Sequence, residues 1–117
     1  MKLGTKTYYK KKADNLISKI VRSKGRCERC GSTTGQLQTA HIVGRSNHTL
    51  RFDLMNVLCL CANCHRWGHT YPLDFAKWVE REYPNRVTYL EMNKNRMTKR
   101  TAKDYKELCE MLKGLLK

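Results

Sequence analysis

No stretch of this 117-residue sequence approaches the roughly 20 apolar residues of a membrane span. The first residues, MKLGTKTYYKKKADNL, lack the apolar core of a secretory signal, so the chain is expected in the cytoplasm of a bacterial or phage-infected cell. There is no internal repeat and no sign of a second domain, which excludes solenoids and arrays. Acid is scarce: 10 Asp and Glu stand against 24 Lys and Arg, a formal net charge of +14. Such a balance excludes a polycation as partner and suits a polyanion, DNA before others. No segment reads as a dimer signature, so a monomer or weak dimer is expected.

A chain this short buries a modest core and often needs a staple. The sequence supplies one. Cys27-x-x-Cys30 and Cys61-x-x-Cys64 are two thiol pairs far apart in the chain, and Gly31 follows the first for a tight turn. In a reducing compartment such pairs are metal ligands rather than disulfides. Two of them close a tetrahedral structural zinc site. Cys59 competes for a ligand position but lacks the spacing, and it is expected in the core with Cys109.

Periodicity organises the rest. Residues 1–12 read as a basic arm and 13–25 as a helix, with Leu16, Ile17, Ile20 and Val21 at helical spacing and Gly25 as its stop. LQTAHIV (37–43) and VLCLC (57–61) read as strands, with a polar loop between. ANCHRWGH leads into a helix. Phe75, Trp78 and Val79 share one face of the next, between Pro72 and Pro84. NRVTYLEMNKNRM reads as a strand followed by a basic loop. The last segment opens with Thr101 and Asp104 in capping-box spacing, then carries an apolar stripe of Tyr105, Leu108, Leu112, Leu115 and Leu116. The division is therefore an arm at 1–12, a helix at 13–25, a knuckle core at 27–69 and a helical part at 70–117. Together they make one small α+β domain.

All four histidines fall in one stretch, TAHIVGRSNHTLRFDLMNVLCLCANCHRWGH. His65 and His69 lie four apart on a helix, share a face and can hold one divalent ion. His41 ends or follows the first strand, and Asn56 sits at the mouth of the second. Phosphodiester hydrolysis needs a base near neutral pH and a cation against the scissile phosphate. His41 suits the first task and the His65/His69 ion the second. Asn56 can bond across the hairpin and hold the loop. Arg45 can grip a phosphate as a bidentate donor, and Lys10, Lys11, Lys12 and Arg66 are further contacts. Arg22, Lys94, Arg96, Lys99 and Arg100 extend that set.

AHIVGRSNHTLRFDLMNVLCLCANCH resembles the HNH nucleases of the ββα-metal fold, in the branch that carries zinc knuckles. Its AH…R…LRFD…N…C…C pattern also looks like the NinG-type phage recombination nucleases. The resemblance covers about residues 27–69. It implies a ββα-metal core with flanking helices, His41 as general base, Asn56 as loop-positioning residue and His65 as metal ligand. The His65/His69 spacing resembles the metal pair of the nuclease colicins. Many relatives place Asp or His where this chain has Ala40, so a third ligand would be water, a substrate phosphate, Asp53 or His48. Mg2+, Mn2+, Ni2+ and Zn2+ all fit, and imidazoles lean towards transition metals. The expected protein is a metal-dependent DNA endonuclease or nickase acting on double-stranded or branched DNA. The competing expectation is a zinc-finger module that binds nucleic acid without cutting it.

Overall fold

VLCLC is apolar at every position, and the structure, a computed structural model describing residues 4–116, gives the reason. This strand, β2 (Val57–Cys61), is buried along its whole length because both its faces are covered. Val57 and Cys59 point into one apolar cluster, Leu58 and Leu60 into another. Its antiparallel partner is β1 (Leu37–His41), in a register that sets Leu37 opposite Cys61 and His41 opposite Val57. The two strands are the whole sheet among the described residues.

Five helices surround it: α1 (Lys6–Arg22), α2 (Ala62–Thr70), α3 (Pro72–Glu82), α4 (Pro84–Asn93) and α5 (Ala102–Leu115). The first cluster joins α1 and α5 across β2, through Ala13, Leu16, Ile17, Val21, Phe52, Tyr105, Cys109 and Leu112. The second joins α2 and α3 to the cysteine pairs, through Cys27, Cys61, Cys64, Trp78 and Val79. Cys59 and Cys109 are core residues, 0% and 2% exposed. Burial of this kind contributes about 25 cal/mol per Å2 of apolar surface. No helix of the described residues is long and apolar enough to cross a membrane.

Five local readings change. The arm at 1–12 is largely helical: α1 begins at Lys6, with Thr5 as N-cap accepting from the Tyr8 amide. Its first three residues lie outside the described ones. The helix ends at Arg22, short of Gly25, which turns the chain at φ +75°. β1 stops at His41, because the Ile42 and Val43 amides bond to Asn56. NRVTYLEMNKNRM is not a strand and loop. Pro84 opens α4 at its first turn, and Leu90 is buried. The apolar stripe of α5 is buried at Tyr105, Cys109 and Leu112, but Leu115 and Leu116 are exposed. Thr101 and Asp104 do form the capping box.

Candidate functional site

The first knuckle is a tight loop. Gly31, at φ +77°, returns its amide to the Cys27 carbonyl at 2.9 Å, a conformation that needs no Cβ. Glu28 fastens the loop to β2: its amide donates to the Cys59 carbonyl and its carboxylate accepts from the Cys59 amide at 2.6 Å. The second knuckle is the start of α2, where Cys61 caps the helix by accepting from the Cys64 amide. The four sulfurs of Cys27, Cys30, Cys61 and Cys64 lie within 4.8 Å of one another.

Thiolates at about 2.3 Å from a tetrahedral zinc stand about 3.8 Å apart. The Cys30 and Cys61 sulfurs are 3.8 Å apart. The cluster could therefore hold a structural metal such as zinc. Burial pushes the Cys64 thiol up to about 12, helped by its neighbouring thiols. Burial also raises Cys27, yet the backbone amides of Cys30, Cys61 and Arg29 outweigh it and bring that thiol down to about 6. Four close thiolates repel one another, so a divalent cation is what lets them ionise together. Arg29 stands beside the cluster, 3.5 Å from the Cys64 sulfur and 3.5 Å from the centroid of Trp67. Its charge would offset the excess negative charge of four thiolates around a bound zinc ion.

On the other side of the sheet a cleft of about 580 Å3 opens between α1 and α2. Asp14, Asn15 and Ser18 of α1, Thr39 and His41 of β1, Gly44 and Arg45 of the following loop, and His65 and His69 of α2 line it. Three imidazoles thus face one cleft. His41 Nε2 is 3.1 Å from the Arg51 carbonyl oxygen. A carbonyl only accepts, so Nε2 carries the hydrogen and Nδ1 keeps its lone pair. His65 Nδ1 is likewise 2.7 Å from the Gln38 Oε1, which leaves Nε2 as its lone-pair nitrogen. That atom faces His69 Nε2 at 3.1 Å. Burial is the main reason the His41 and His65 pKa values lie below the ordinary histidine value.

Asn56 is fully buried. Its Oδ1 accepts from the Val43 amide at 2.7 Å, and its Nδ2 donates to the carbonyls of Val43 (2.9 Å) and Leu50 (3.1 Å). One side chain thus pins both ends of the loop that follows His41. Asn56→Ala should leave these groups unpaired and destabilise the fold by roughly 2–4 kcal/mol. Urea unfolding measures this, and a loss under about 0.5 kcal/mol would contradict the pinning role.

The other sequence-predicted contacts scatter. Arg45 lies at the cleft, largely exposed, and its guanidinium pairs with Asp14 at 3.1 Å. Arg66 is exposed on α2 and is absent from the lining. Lys10, Lys11 and Lys12 point apart around α1, and Lys12 approaches Lys113 on α5. Asp53 and His48, considered as third ligands, lie elsewhere. Asp53 accepts from the Met55 amide and from the Tyr89 hydroxyl. His48 borders other hollows. Among the described residues, the four cysteines are the one cluster of three or more such side chains at metal-ligand spacing.

Sequence reasoning missed Asp14, Gln38 and Arg51. Asp14 accepts two bonds from Arg51, at 2.6 and 3.2 Å, and Arg51 supplies the carbonyl that orients His41. No local pattern marks them, because their partners are distant in the chain.

The family model described as "NinG: Bacteriophage Lambda NinG protein" matches residues 1–117. No curated protein and no solved structure matches the chain.

Proposed function

The chain belongs to the NinG family, and on that premise we propose that it is a metal-dependent DNA endonuclease of HNH type, acting in phage recombination. One observation carries the reading: three imidazoles share one cleft, two of them with tautomers set by an oxygen acceptor. The order β1, β2, α2, with His41 ending the first strand, Asn56 just before the second and His65 early in the helix, supports it. So does the +14 charge, which favours a phosphate backbone.

His65 and His69 are the residues that would hold the ion. Two nitrogens about 2.05 Å from one cation stand about 2.9 Å apart at a right angle and about 3.3 Å at a tetrahedral one. The observed 3.1 Å lies between, so the pair fits. When bound, the divalent cation supplies positive charge against the scissile phosphate and the leaving oxygen. Ala40 offers no donor atom, so further ligands would have to come from water or substrate oxygens. Mg2+, Mn2+, Ni2+ and Zn2+ remain the candidates. His41 takes the proton of the attacking water at Nδ1, while Arg51 and Asn56 fix the ring and the loop beside it. Arg45 exchanges Asp14 for a phosphate oxygen. Cys27, Cys30, Cys61 and Cys64 would hold a structural zinc that keeps the knuckles rigid behind this machinery.

Supercoiled plasmid incubated with each of the four ions tests the reading. Nicked product with at least one ion is expected. No cutting with any ion, together with intact DNA binding, would leave the protein a zinc-containing binding module.

The pH dependence has a definite sign. Burial disfavours the imidazolium of His41, so its neutral form persists below the usual histidine pKa of about 6.5. The acid limb of the cleavage profile should therefore lie below that value. A limb at or above it would argue against His41 as the base.

A further inference from the structure

Lys6 and Lys10 lie one helical turn apart on α1, whose first turn holds no acid. Fold α1 beside the segment leading into α5, and Lys99 and Arg100 arrive next to them. These four cations and His48 border a hollow of about 330 Å3, with Thr98 and Tyr105 completing its wall. No carboxylate lines it. The acid closest in sequence, Asp104, accepts from the Thr101 amide at 2.9 Å as the cap of α5.

Arg100 is held in place. It donates to the His48 carbonyl at 2.8 Å, and its guanidinium lies 5.4 Å from the ring of Phe52 and 5.8 Å from that of Tyr105. A stacked, hydrogen-bonded guanidinium loses little further freedom when it meets an anion. One loop ties this hollow to the cleft. Gly44 and Arg45 line the cleft, whereas His48, three residues on, lines the hollow. A neighbouring hollow shares His48 and Thr98 and adds Asn47, Lys94 and Arg96. Lys94 there is paired with Glu91 at 2.8 Å, so the stronger positive field belongs to the α1 side.

We infer that the hollow of Lys6, Lys10, Lys99 and Arg100 is a second phosphate-binding site, which takes backbone phosphates of the bound DNA away from the point of cutting. Three separated parts of the chain converge there without a neutralising acid, and one guanidinium is already oriented. A solvated lysine run has neither property. The site rests on DNA as the partner, and it does not require that the DNA be cut.

The test is binding of a fluorescein-labelled DNA duplex over a range of salt concentrations, with no divalent ion added. The Lys10→Ala, Lys99→Ala double variant should bind several-fold more weakly, and its slope of log affinity on log salt should be shallower by about 2. A control that removes two exposed cations of α3, Lys77→Ala with Arg81→Ala, should change both far less. Equal losses in the two double variants would reduce the effect to net charge and overturn the site, as would an unchanged slope in the first. Failure of the unaltered protein to bind the duplex would remove both the site and the DNA partner. Binding without plasmid nicking would keep the site and remove the nuclease.

Discussion

Cys27→Ser should leave the chain unable to hold zinc and largely unfolded at physiological temperature. Cys27 is one of four sulfurs within 4.8 Å, and it is also 2% exposed, inside the apolar cluster of α2 and α3. Structural zinc contributes on the order of 10 kcal/mol in small zinc-dependent folds. A whole domain is stable by roughly 5–15 kcal/mol. The substitution therefore strikes at a term as large as the total. A serine hydroxyl there would still accept from the backbone amides that face Cys27, but it is a far weaker zinc ligand than a thiolate. Zinc content by elemental analysis and the melting temperature report the outcome. Wild-type values of both would refute the four-cysteine site. Cys59→Ser is the comparison: it loses packing at a buried position yet should keep the metal.

His41→Ala should have the opposite profile, with activity lost and the fold kept. Loss of a general base lowers a rate by about 10²–10⁴-fold. The structural cost is one hydrogen bond to the Arg51 carbonyl, about 1 kcal/mol. Plasmid nicking should disappear while zinc content and duplex binding stay at wild-type level. Nicking within about threefold of wild type would end the role of His41 as base. A variant that neither folds nor binds DNA would recast His41 as a structural residue.

The knuckles and the imidazole stretch were legible because their chemistry is local. Two residues between thiols, three between imidazoles and a glycine after a cysteine fix geometry within one turn of chain. VLCLC was legible for a related reason, since a strand covered on both faces has no polar side to show. What failed was the reading of neighbours. NRVTYLEMN carries Val, Thr and Tyr, which favour strands, yet burial of Leu90 and the proline at position 84 make it helix α4. Pro84 ends one helix and opens the next, and the sequence signals only the first role. The lysine-rich start looked like a solvated arm. It is helical because the apolar face of α1 lies on α5, where the Cys109 thiol donates to the Tyr9 carbonyl. Gln38 meets His65, and Asp14 meets Arg45 and Arg51, only once the chain has folded, so nothing in their own surroundings announces them.

The N-terminal helix is more than a neighbour of the cleft: Asp14, Asn15 and Ser18 are its wall. That wall leans on α5 through Leu16, Ile17, Tyr105 and Leu112. The final helix, which contributes no side chain to the chemistry, is thus its buttress. A chain stopped before Ala102 would retain every imidazole and all four clustered thiols and still lose the shape in which the imidazoles meet.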